Sequence, residues 1–123
     1  MAWPLPAGVL GHPRTAGTFG RTLRLLVREL GEWSLMEAVR RGSLVPADIA
    51  ATGAPALAHE GRLQPGADAD VVVFDPQAVT DNATYTNMVR PASGFDHVIV
   101  NGEPVIRDGA LVVSALPGRP VRA

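Results

Sequence analysis

The three histidines are the side chains in this sequence best suited to metal binding or proton transfer, and they lie far apart. His12 falls in a Gly-His-Pro-Arg segment, whereas His59 and His97 each stand next to a single acidic residue. Zinc sites draw on paired His or Cys ligands at short spacings, and the sequence contains no such pair. His59 and His97 are therefore interpreted as surface or strand-edge residues. His12 sits beside Arg14 in a Gly- and Pro-rich stretch, where substrate-contacting residues are common, although its spacing alone favours a structural role.

Three aspartates surround one short apolar run: Asp68 and Asp70 precede residues 71–74, and Asp75 follows them. Such a carboxylate cluster could bind a cation, but aspartates at the entrance to a strand commonly accept hydrogen bonds from nearby backbone N–H groups. The structural interpretation is favoured. The sequence contains no cysteine, which excludes disulfides, thiolate nucleophiles and thiolate ligands. The residues alone therefore assign no catalytic group and no metal ligand.

The composition is that of a folded, nearly neutral domain or part of one. The chain has 123 residues, 46% of them hydrophobic, and a net charge of −1. All 11 basic residues are arginine and they form no basic stripe, which argues against nucleic acid as a partner. The first ten residues are too short and too rich in proline for a signal peptide, and no apolar run approaches the roughly 20 residues that a membrane helix needs. We expect a cytoplasmic protein with no membrane partner.

One stretch, residues 61–76, divides the chain into a helical half and a β half. Pro65 and Gly66 form the pair typical of a type II turn. The run Val71-Val72-Val73-Phe74 is continuously apolar, which predicts a strand buried on both faces. Pro76 cannot donate a backbone hydrogen bond, so the strand should end before it.

Three short helices are predicted before this stretch. The first is expected over residues 18–30, with Thr18 as its N-cap, an apolar stripe on one face and a solvated arginine face on the other. The stripe consists of Phe19, Leu23, Leu26, Val27 and Leu30, and the opposite face of Arg21, Arg24 and Arg28. Ser34 with Glu37 three residues later is a capping box that begins the second helix, which Gly42 ends. The third is expected over residues 47–51, after Pro46, and the Gly- and Pro-rich residues 2–17 are predicted to be irregular.

Three further strands are predicted after this stretch. A loop over residues 80–93 is followed by two hairpins, one turning at Asn101-Gly102 and the other at Asp108-Gly109. With residues 71–74 these segments make four short strands, too few to cover both faces of the first one. The sequence is therefore expected to be incomplete as a domain.

Four segments resemble the metal-dependent amidohydrolases. Residues 61–75, Gly-Arg-Leu-Gln-Pro-Gly-Ala-Asp-Ala-Asp-Val-Val-Val-Phe-Asp, are similar to the G-x-L-x-x-G-x-x-A-D-L-V-V-x-D strand of that superfamily, and residues 98–105 to its V-x-V-N-G-x-x-V hairpin. Residues 34–47 resemble its S-L-x-E-A-V-x-x-x-T-x-x-P-A helix pair. Residues 12–19, His-Pro-Arg-Thr-Ala-Gly-Thr-Phe, resemble the H-P-R-x-x-G-T-F segment of the N-acyl-D-amino-acid deacylase (D-aminoacylase) branch, which makes the resemblance fairly specific.

The resemblance implies an α+β fragment of a larger enzyme. Members of the family have a metal-bearing (β/α)8 barrel and a small composite β-sandwich built from both chain ends. Residues 1–60 would correspond to the loop and terminal helices of the barrel, and residues 61–123 to C-terminal strands of the sandwich. The family's metal ligands, and the aspartate that moves the proton of the attacking water, would all lie upstream of these residues.

The resemblance also implies a function, the metal-dependent hydrolysis of the amide bond of N-acyl-D-amino acids. Zinc is expected for the full-length family, but this chain alone is expected to bind no metal and to be inactive. His12 and Arg14 would flank the active-site mouth, where the planar guanidinium of Arg14 could bind the substrate carboxylate. The expected partner is the remainder of the amidohydrolase chain, or a second copy held through exposed apolar faces. Two alternatives stay open: a subunit of a split amidohydrolase, and a non-catalytic β-rich binding module.

Overall fold

The computed structural model describes residues 11–121, which form short helices followed by a four-stranded sheet. The helical half contains α1 (Arg14–Arg21), a π-helical continuation (Thr22–Glu29), α2 (Leu35–Gly42), α3 (Leu44–Ala51) and a 3₁₀ turn (Pro55–His59). The β half contains β1 (Val71–Phe74), β2 (Phe95–Val100), β3 (Glu103–Arg107) and β4 (Ala110–Leu111). The predicted order of helices before strands is confirmed.

The first helix begins four residues earlier than the sequence predicts. Pro13 has φ −51° and its carbonyl accepts the N–H of Gly17 at 3.0 Å, so the helix has already formed before Thr18. Proline is favoured at a helix start because its fixed φ is helical and its missing N–H is not needed there. Thr18 is therefore not the N-cap, and its hydroxyl donates to the carbonyl of Arg14 at 2.6 Å inside the helix. Of the predicted irregular segment, residues 14–17 are helical and residues 2–10 lie outside the described part of the chain.

The two faces of this helix follow the prediction only in part: Arg21 is exposed as predicted, and Leu23, Leu26 and Val27 are half-buried. Phe19 and Leu30, at the ends of the apolar stripe, are 67% and 56% exposed. Arg24 and Arg28 turn toward the segment that follows β1, where Arg28 Nη1 donates to two backbone carbonyls in residues 76–79 at 2.9 and 2.8 Å. The predicted solvated face is wrong for these two arginines, because acceptors far along the chain satisfy their guanidinium groups.

One of the two hydrogen bonds of the predicted capping box forms at the start of α2. Ser34 Oγ accepts the backbone N–H of Glu37 at 3.1 Å, as predicted. The Glu37 carboxylate pairs instead with Arg40 and Arg41, whose hydrogen bonds lower the pKa of Glu37 to about 2. Arg41 also lies 4.6 Å from the centre of the Trp33 ring, a cation–π contact. The start of α2 is thus as predicted. The two arginines of its last turn compensate the negative charge of Glu37 in its first turn.

The third helix begins at Leu44, three residues before the predicted start. Pro46 then falls in its first turn, where the N–H that proline lacks has no acceptor within the helix in any case. The 3₁₀ turn that follows is not predicted by the sequence. No helix in residues 11–121 is long and apolar enough to cross a bilayer.

The sheet is antiparallel, in the order β1-β2-β3-β4, and both predicted hairpin turns form. Asn101-Gly102 has φ of +48° and +79°, and Asp108-Gly109 has φ of +51° and +73°. Positive φ at both central residues is typical of type I′ turns. The turn before β1 is also confirmed, with Gly66 at φ +85° and the N–H of Ala67 donating three residues back at 3.1 Å.

The first strand is an edge strand, and the prediction that both of its faces are buried is wrong for this chain. Its one strand partner among the described residues is β2. Val72 and Val73 point to opposite faces and are 49% and 44% exposed. The buried hydrophobic residues of the described part are Ala38, Val79 and Ala115, and none is larger than valine. Four short strands leave β1 uncovered, as the count of strands predicts.

Candidate functional site

A cavity of about 460 Å³ opens between the start of α1 and the loop of residues 80–93. We call it the His12 cavity. Its lining includes the polar side chains of His12, Arg14, Thr18, Arg21, Asp81 and Tyr85, with Leu25 and Leu26 on its apolar side. The two residues that the sequence singles out, His12 and Arg14, therefore share one cavity.

His12 is held from two sides. Its Nδ1 accepts the backbone N–H of Arg14 at 3.1 Å, and its ring meets that of Tyr85 in a T-shaped contact, with centroids 5.5 Å apart and planes at 81°. Because a backbone N–H can only donate, Nδ1 of neutral His12 is an acceptor and Nε2 carries the proton. Neutral His12 can therefore donate a hydrogen bond through Nε2–H.

Arg14 and Arg21 lie on the same side of α1. They are seven residues apart, close to two helical turns, and both line the cavity. Within the described residues Arg14 forms no ion pair, and Arg21 lies 4.0 Å from Asp81 with its side chain 63% exposed. Guanidinium groups bind carboxylates through paired N–H donors. The arrangement suits a ligand that carries a carboxylate.

The wall of the cavity opposite α1 is fixed by an ion pair. Arg24 Nε lies 2.6 Å from Asp81 Oδ1, Arg24 Nη1 lies 2.7 Å from Glu29 Oε1, and the Asp81 side chain is only 7% exposed. Burial acts to raise the pKa of Asp81, but the hydrogen bond and charge of Arg24 outweigh it, and the pKa lies below its usual value. Asp81 is thus a carboxylate at neutral pH, and it joins the loop to the helix.

Two buried glycines let the loop lie directly against α1. A Cβ at Gly20 would lie 3.1 Å from that of Ala92, and one at Gly17 would lie 3.3 Å from that of Asp81. Both distances are shorter than ordinary van der Waals contact between carbon atoms. A larger side chain at either glycine would push the loop, and with it the cavity wall, away from the helix.

Comparison with known proteins identifies relatives for almost the whole chain, although no family model matches it. It is 40% identical over 118 residues to the N-acyl-D-glutamate deacylase of Alcaligenes xylosoxydans xylosoxydans, covering 96% of this chain and 23% of that enzyme. It is 42% identical over 106 residues to the D-aminoacylase of the same organism, covering 86% of this chain and 21% of that enzyme. A crystal structure of D-aminoacylase, an amidohydrolase, superposes with a TM-score of 0.80 at 38% identity, over 91% of this chain and 22% of that one. The chain is a homologue of the D-aminoacylases.

This D-aminoacylase homologue spans about a fifth of the length of the curated relatives it matches. A second solved relative is the N-acyl-D-glutamate deacylase of Bordetella bronchiseptica, in complex with zinc and a phosphonate inhibitor that mimics the tetrahedral intermediate of the reaction. It superposes with a TM-score of 0.76 at 40% identity, again over 91% of this chain and 22% of that one. The resemblance read from the sequence is therefore confirmed, and it covers one segment of much longer enzymes.

Three of the other sequence candidates, Asp70, Asp75 and His97, have structural roles in this D-aminoacylase homologue. Asp70 and Asp75 each accept one backbone N–H, at 2.7 and 2.8 Å, as predicted for aspartates around a strand. His97 Nδ1 accepts the backbone N–H of Asp108 at 3.3 Å in the second hairpin. Within residues 11–121 no three His, Cys, Asp or Glu side chains gather closely enough to hold a metal ion.

Asp81 and Tyr85 are the cavity residues that sequence reasoning misses. Both lie in a Thr- and Asn-rich loop without hydrophobic periodicity, and Asp81 is 57 positions from Arg24, the residue that holds it. Arg21 belongs to the predicted polar face of the helix, but the pattern does not indicate that this face borders a cavity. No local sequence signal connects these residues with His12, because they come close to it only when the loop packs against the helix.

A second candidate surface is apolar. Two cavities of about 400 and 650 Å³ lie side by side along β1 and share Ser43 and the apolar residues Val39, Val72 and Phe74. We call the pair the β1 groove. It is also lined by Phe19, Met36 and Leu63, which are 67%, 74% and 83% exposed. Apolar side chains exposed together in this way are typical of a surface that another protein segment covers.

Proposed function

We propose that this chain is one part of a metal-dependent amidohydrolase that hydrolyses the amide bond of N-acyl-D-amino acids. The observation that carries the proposal is the superposition on D-aminoacylase, with a TM-score of 0.80 over 91% of this chain at 38% identity. The curated relatives are named N-acyl-D-glutamate deacylase, D-aminoacylase and N-acyl-D-aspartate deacylase. These names share the removal of an acyl group from the nitrogen of a D-amino acid and differ in its side chain.

The metal and the groups that activate water would come from outside the described residues. One solved relative contains zinc and another has a binuclear metal centre. The His, Asp and Glu residues within residues 11–121 form no cluster of three, so this part of the chain does not fit a catalytic metal site. Its own contribution would be binding and positioning, and alone we expect it not to hydrolyse these substrates.

The remainder of an amidohydrolase is the partner proposed for the β1 groove. Among the described residues β1 pairs with β2 alone, so its outer edge presents unpaired N–H and C=O groups. A strand added at that edge would complete these hydrogen bonds, and packing over the groove would bury Val72, which lines it. A second copy of this chain is the alternative occupant. The molecular mass of the purified chain in solution distinguishes the two, because only the second copy would make a stable dimer.

The His12 cavity is proposed to bind the carboxylate of the substrate. Arg14 offers a planar pair of donors, and His12 adds the N–H of Nε2. Both would hold an anion in the mouth of the cavity and leave the amide bond free to face the hydrolytic groups. Such charge-assisted hydrogen bonds contribute about 1.5–3 kcal/mol each.

A hybrid enzyme tests the proposed function. In the N-acyl-D-glutamate deacylase of Alcaligenes xylosoxydans xylosoxydans, the 118 residues that align with this chain are replaced by those of this chain. We expect the hybrid to release D-glutamate from N-acetyl-D-glutamate, whereas the 123-residue chain alone, supplied with zinc, releases none. Zinc-dependent release by the chain alone would contradict this division of labour.

Replacing Arg14 in this hybrid tests the carboxylate site. Arg14→Met is expected to raise KM for N-acetyl-D-glutamate roughly 10- to 150-fold, since it removes a charge-assisted contact of about 1.5–3 kcal/mol. Arg14→Lys keeps the charge but loses the planar fork, so its KM should lie between that of the unmodified hybrid and that of Arg14→Met. Arg107→Met, at an exposed arginine of β3, is the matched control and should leave KM unchanged. Equal KM values for Arg14→Met and Arg107→Met would remove Arg14 from the site.

A further inference from the structure

Tyr85 is the one tyrosine of the chain, and it lies on the cavity wall opposite Arg14. Its side chain is 73% exposed, yet its ring keeps a T-shaped contact with His12 at 5.5 Å and 81°. An aromatic ring this exposed adds little to the core of the protein. Its one ring partner among the described residues is the imidazole of His12, whose Nδ1 accepts a hydrogen bond from Arg14. This points to a role at the site rather than in folding.

Hydrogen bonds hold the backbone around Tyr85 both at the turn that carries it and at the base of the loop. Thr84 and Asn87 exchange backbone hydrogen bonds of 3.0 and 3.1 Å, which closes a tight turn with Tyr85 at its second position. The Thr84 hydroxyl accepts the N–H of Asn87 as well, at 3.0 Å. At the base of the loop, Thr80 and Ser93 exchange two backbone hydrogen bonds of 3.0 Å. The ring is therefore carried by a braced turn, although the side chain itself faces solvent.

The same loop is fastened to the helix that presents His12 and Arg14. The Arg24–Asp81 ion pair at 2.6 Å and the contact of Gly17 with Asp81 fix the distance between loop and helix. The imidazole of His12 thus lies between a helix N–H at Nδ1 and an aromatic ring on a separately anchored loop. Without the ring, the single hydrogen bond to Nδ1 would leave the imidazole free to turn away from the N–H of Arg14.

We propose that Tyr85 is a positioning residue for the carboxylate site: its ring holds the His12 imidazole so that Nδ1 stays on the Arg14 N–H and Nε2–H faces the cavity. The inference rests on the proposed function for its ligand, a carboxylate-bearing N-acyl amino acid. The positioning itself does not, because it concerns the tautomer and orientation of His12 in the chain without substrate. Tyr85 acts through its ring, so its hydroxyl is dispensable.

Nitrogen NMR of the 123-residue chain tests the positioning without any enzyme assay. Long-range ¹H–¹⁵N spectra above the titration range of histidine distinguish an imidazole protonated on Nε2 from one protonated on Nδ1. We expect His12 to be almost entirely the Nε2–H form in the wild type and in Tyr85→Phe, and a mixture of both forms in Tyr85→Ala. Because Tyr85 is exposed, both variants should melt at the temperature of the wild type. An unchanged His12 spectrum in Tyr85→Ala would overturn the proposal.

The hybrid enzyme adds a kinetic readout that a structural role would not move. Tyr85→Ala is expected to raise KM for N-acetyl-D-glutamate about fivefold with kcat nearly unchanged, as expected for an aromatic contact of about 1 kcal/mol. Tyr85→Phe should stay within twofold of the unmodified hybrid. Equal losses in Tyr85→Phe and Tyr85→Ala would show that the hydroxyl touches substrate and would overturn positioning by the ring. If the hybrid lacks activity while the tautomers still respond, the proposed function fails and the positioning of His12 stands.

Discussion

Replacing Gly94 with alanine is expected to destabilise this chain by roughly 2–5 kcal/mol, because backbone strain and overpacking add at that position. Gly94 has φ +86°, which costs an alanine about 1–2 kcal/mol. A Cβ there would lie 2.5 Å from the backbone N of Val79, and backbone cannot yield as a flexible side chain does, so overpacking adds about 1–3 kcal/mol. Val79 is the largest fully buried side chain among the described residues. Urea unfolding of the 123-residue chain, followed by tryptophan fluorescence, measures the loss.

Gly66→Ala separates the two causes. Gly66 has nearly the same φ, +85°, but a Cβ there would meet nothing within 4 Å. Its loss should therefore be the backbone strain alone, about 1–2 kcal/mol. Gly94→Ala should exceed Gly66→Ala and should also weaken the Thr80–Ser93 pairing, since Ser93 precedes it. Equal losses for the two variants would mean that the backbone at Val79 moves aside without cost, and would contradict the overpacking at Gly94.

Arg24→Met is expected to cost about 3 kcal/mol at neutral pH, since removing one member of a buried ion pair leaves the remaining charge without compensation. The substitution keeps most of the apolar stem but leaves the Asp81 carboxylate, 7% exposed, without its 2.6 Å partner. Arg21→Met is the matched control, since Arg21 is 4.0 Å from the same carboxylate and its side chain is 63% exposed. It should cost less than about 1 kcal/mol.

The cost of Arg24→Met should depend on pH in a defined direction. Arg24 contributes to a pKa of Asp81 below the usual value of about 4, so the folded state holds fewer protons than the unfolded state near that pH. The stability that the pair contributes is therefore complete above about pH 4 and is lost as the pH falls through the folded-state pKa. Unfolding of the wild type and Arg24→Met at neutral pH and at about pH 3 measures this. A difference that stays constant between the two pH values would exclude the ion pair as its cause.

Local chemistry predicted the turns of this fold and the N-cap of α2 well. Asn101-Gly102, Asp108-Gly109 and Pro65-Gly66 form the predicted turns, because positive φ is a property of the few residues in each turn. The start of α2 at Ser34 is likewise a matter of one side chain and one N–H three residues later. For these three turns and this one cap the relevant energy lies within four residues, and the sequence is sufficient.

Burial was predicted less well, because it depends on what the chain packs against. The apolar run of β1 is typical of a strand covered on both faces, yet Val72 and Val73 are about half exposed in this chain. Phe19 and Leu30, the two ends of the apolar stripe, are similarly exposed, while Arg28 reaches carbonyls about 50 residues away. Both patterns fit a segment whose apolar surfaces match material outside the described residues. The sequence thus encodes packing that the described residues do not themselves complete.

The candidate site divides in the same way. His12 and Arg14 were predictable because they are two residues apart in a recognisable segment, and in the structure the backbone N–H of Arg14 donates to Nδ1 of His12 at 3.1 Å. Asp81 and Tyr85 were not, because their relation to His12 depends on the Arg24 ion pair and on the close approach allowed by Gly17. Residues that tertiary packing brings together from distant parts of the chain have no characteristic spacing in the sequence.

The most direct test of the central claim, that this chain is the structural and functional equivalent of its matched segment in the D-aminoacylases, is the activity of the hybrid N-acyl-D-glutamate deacylase. We predict a folded, metal-containing hybrid whose kcat/KM for N-acetyl-D-glutamate lies within about tenfold of the parent enzyme, a difference in transition-state stabilisation of about 1.4 kcal/mol. The same hybrid carrying Gly94→Ala should lose soluble yield and activity together. A folded hybrid that binds zinc like its parent but does not hydrolyse the substrate would contradict the claim.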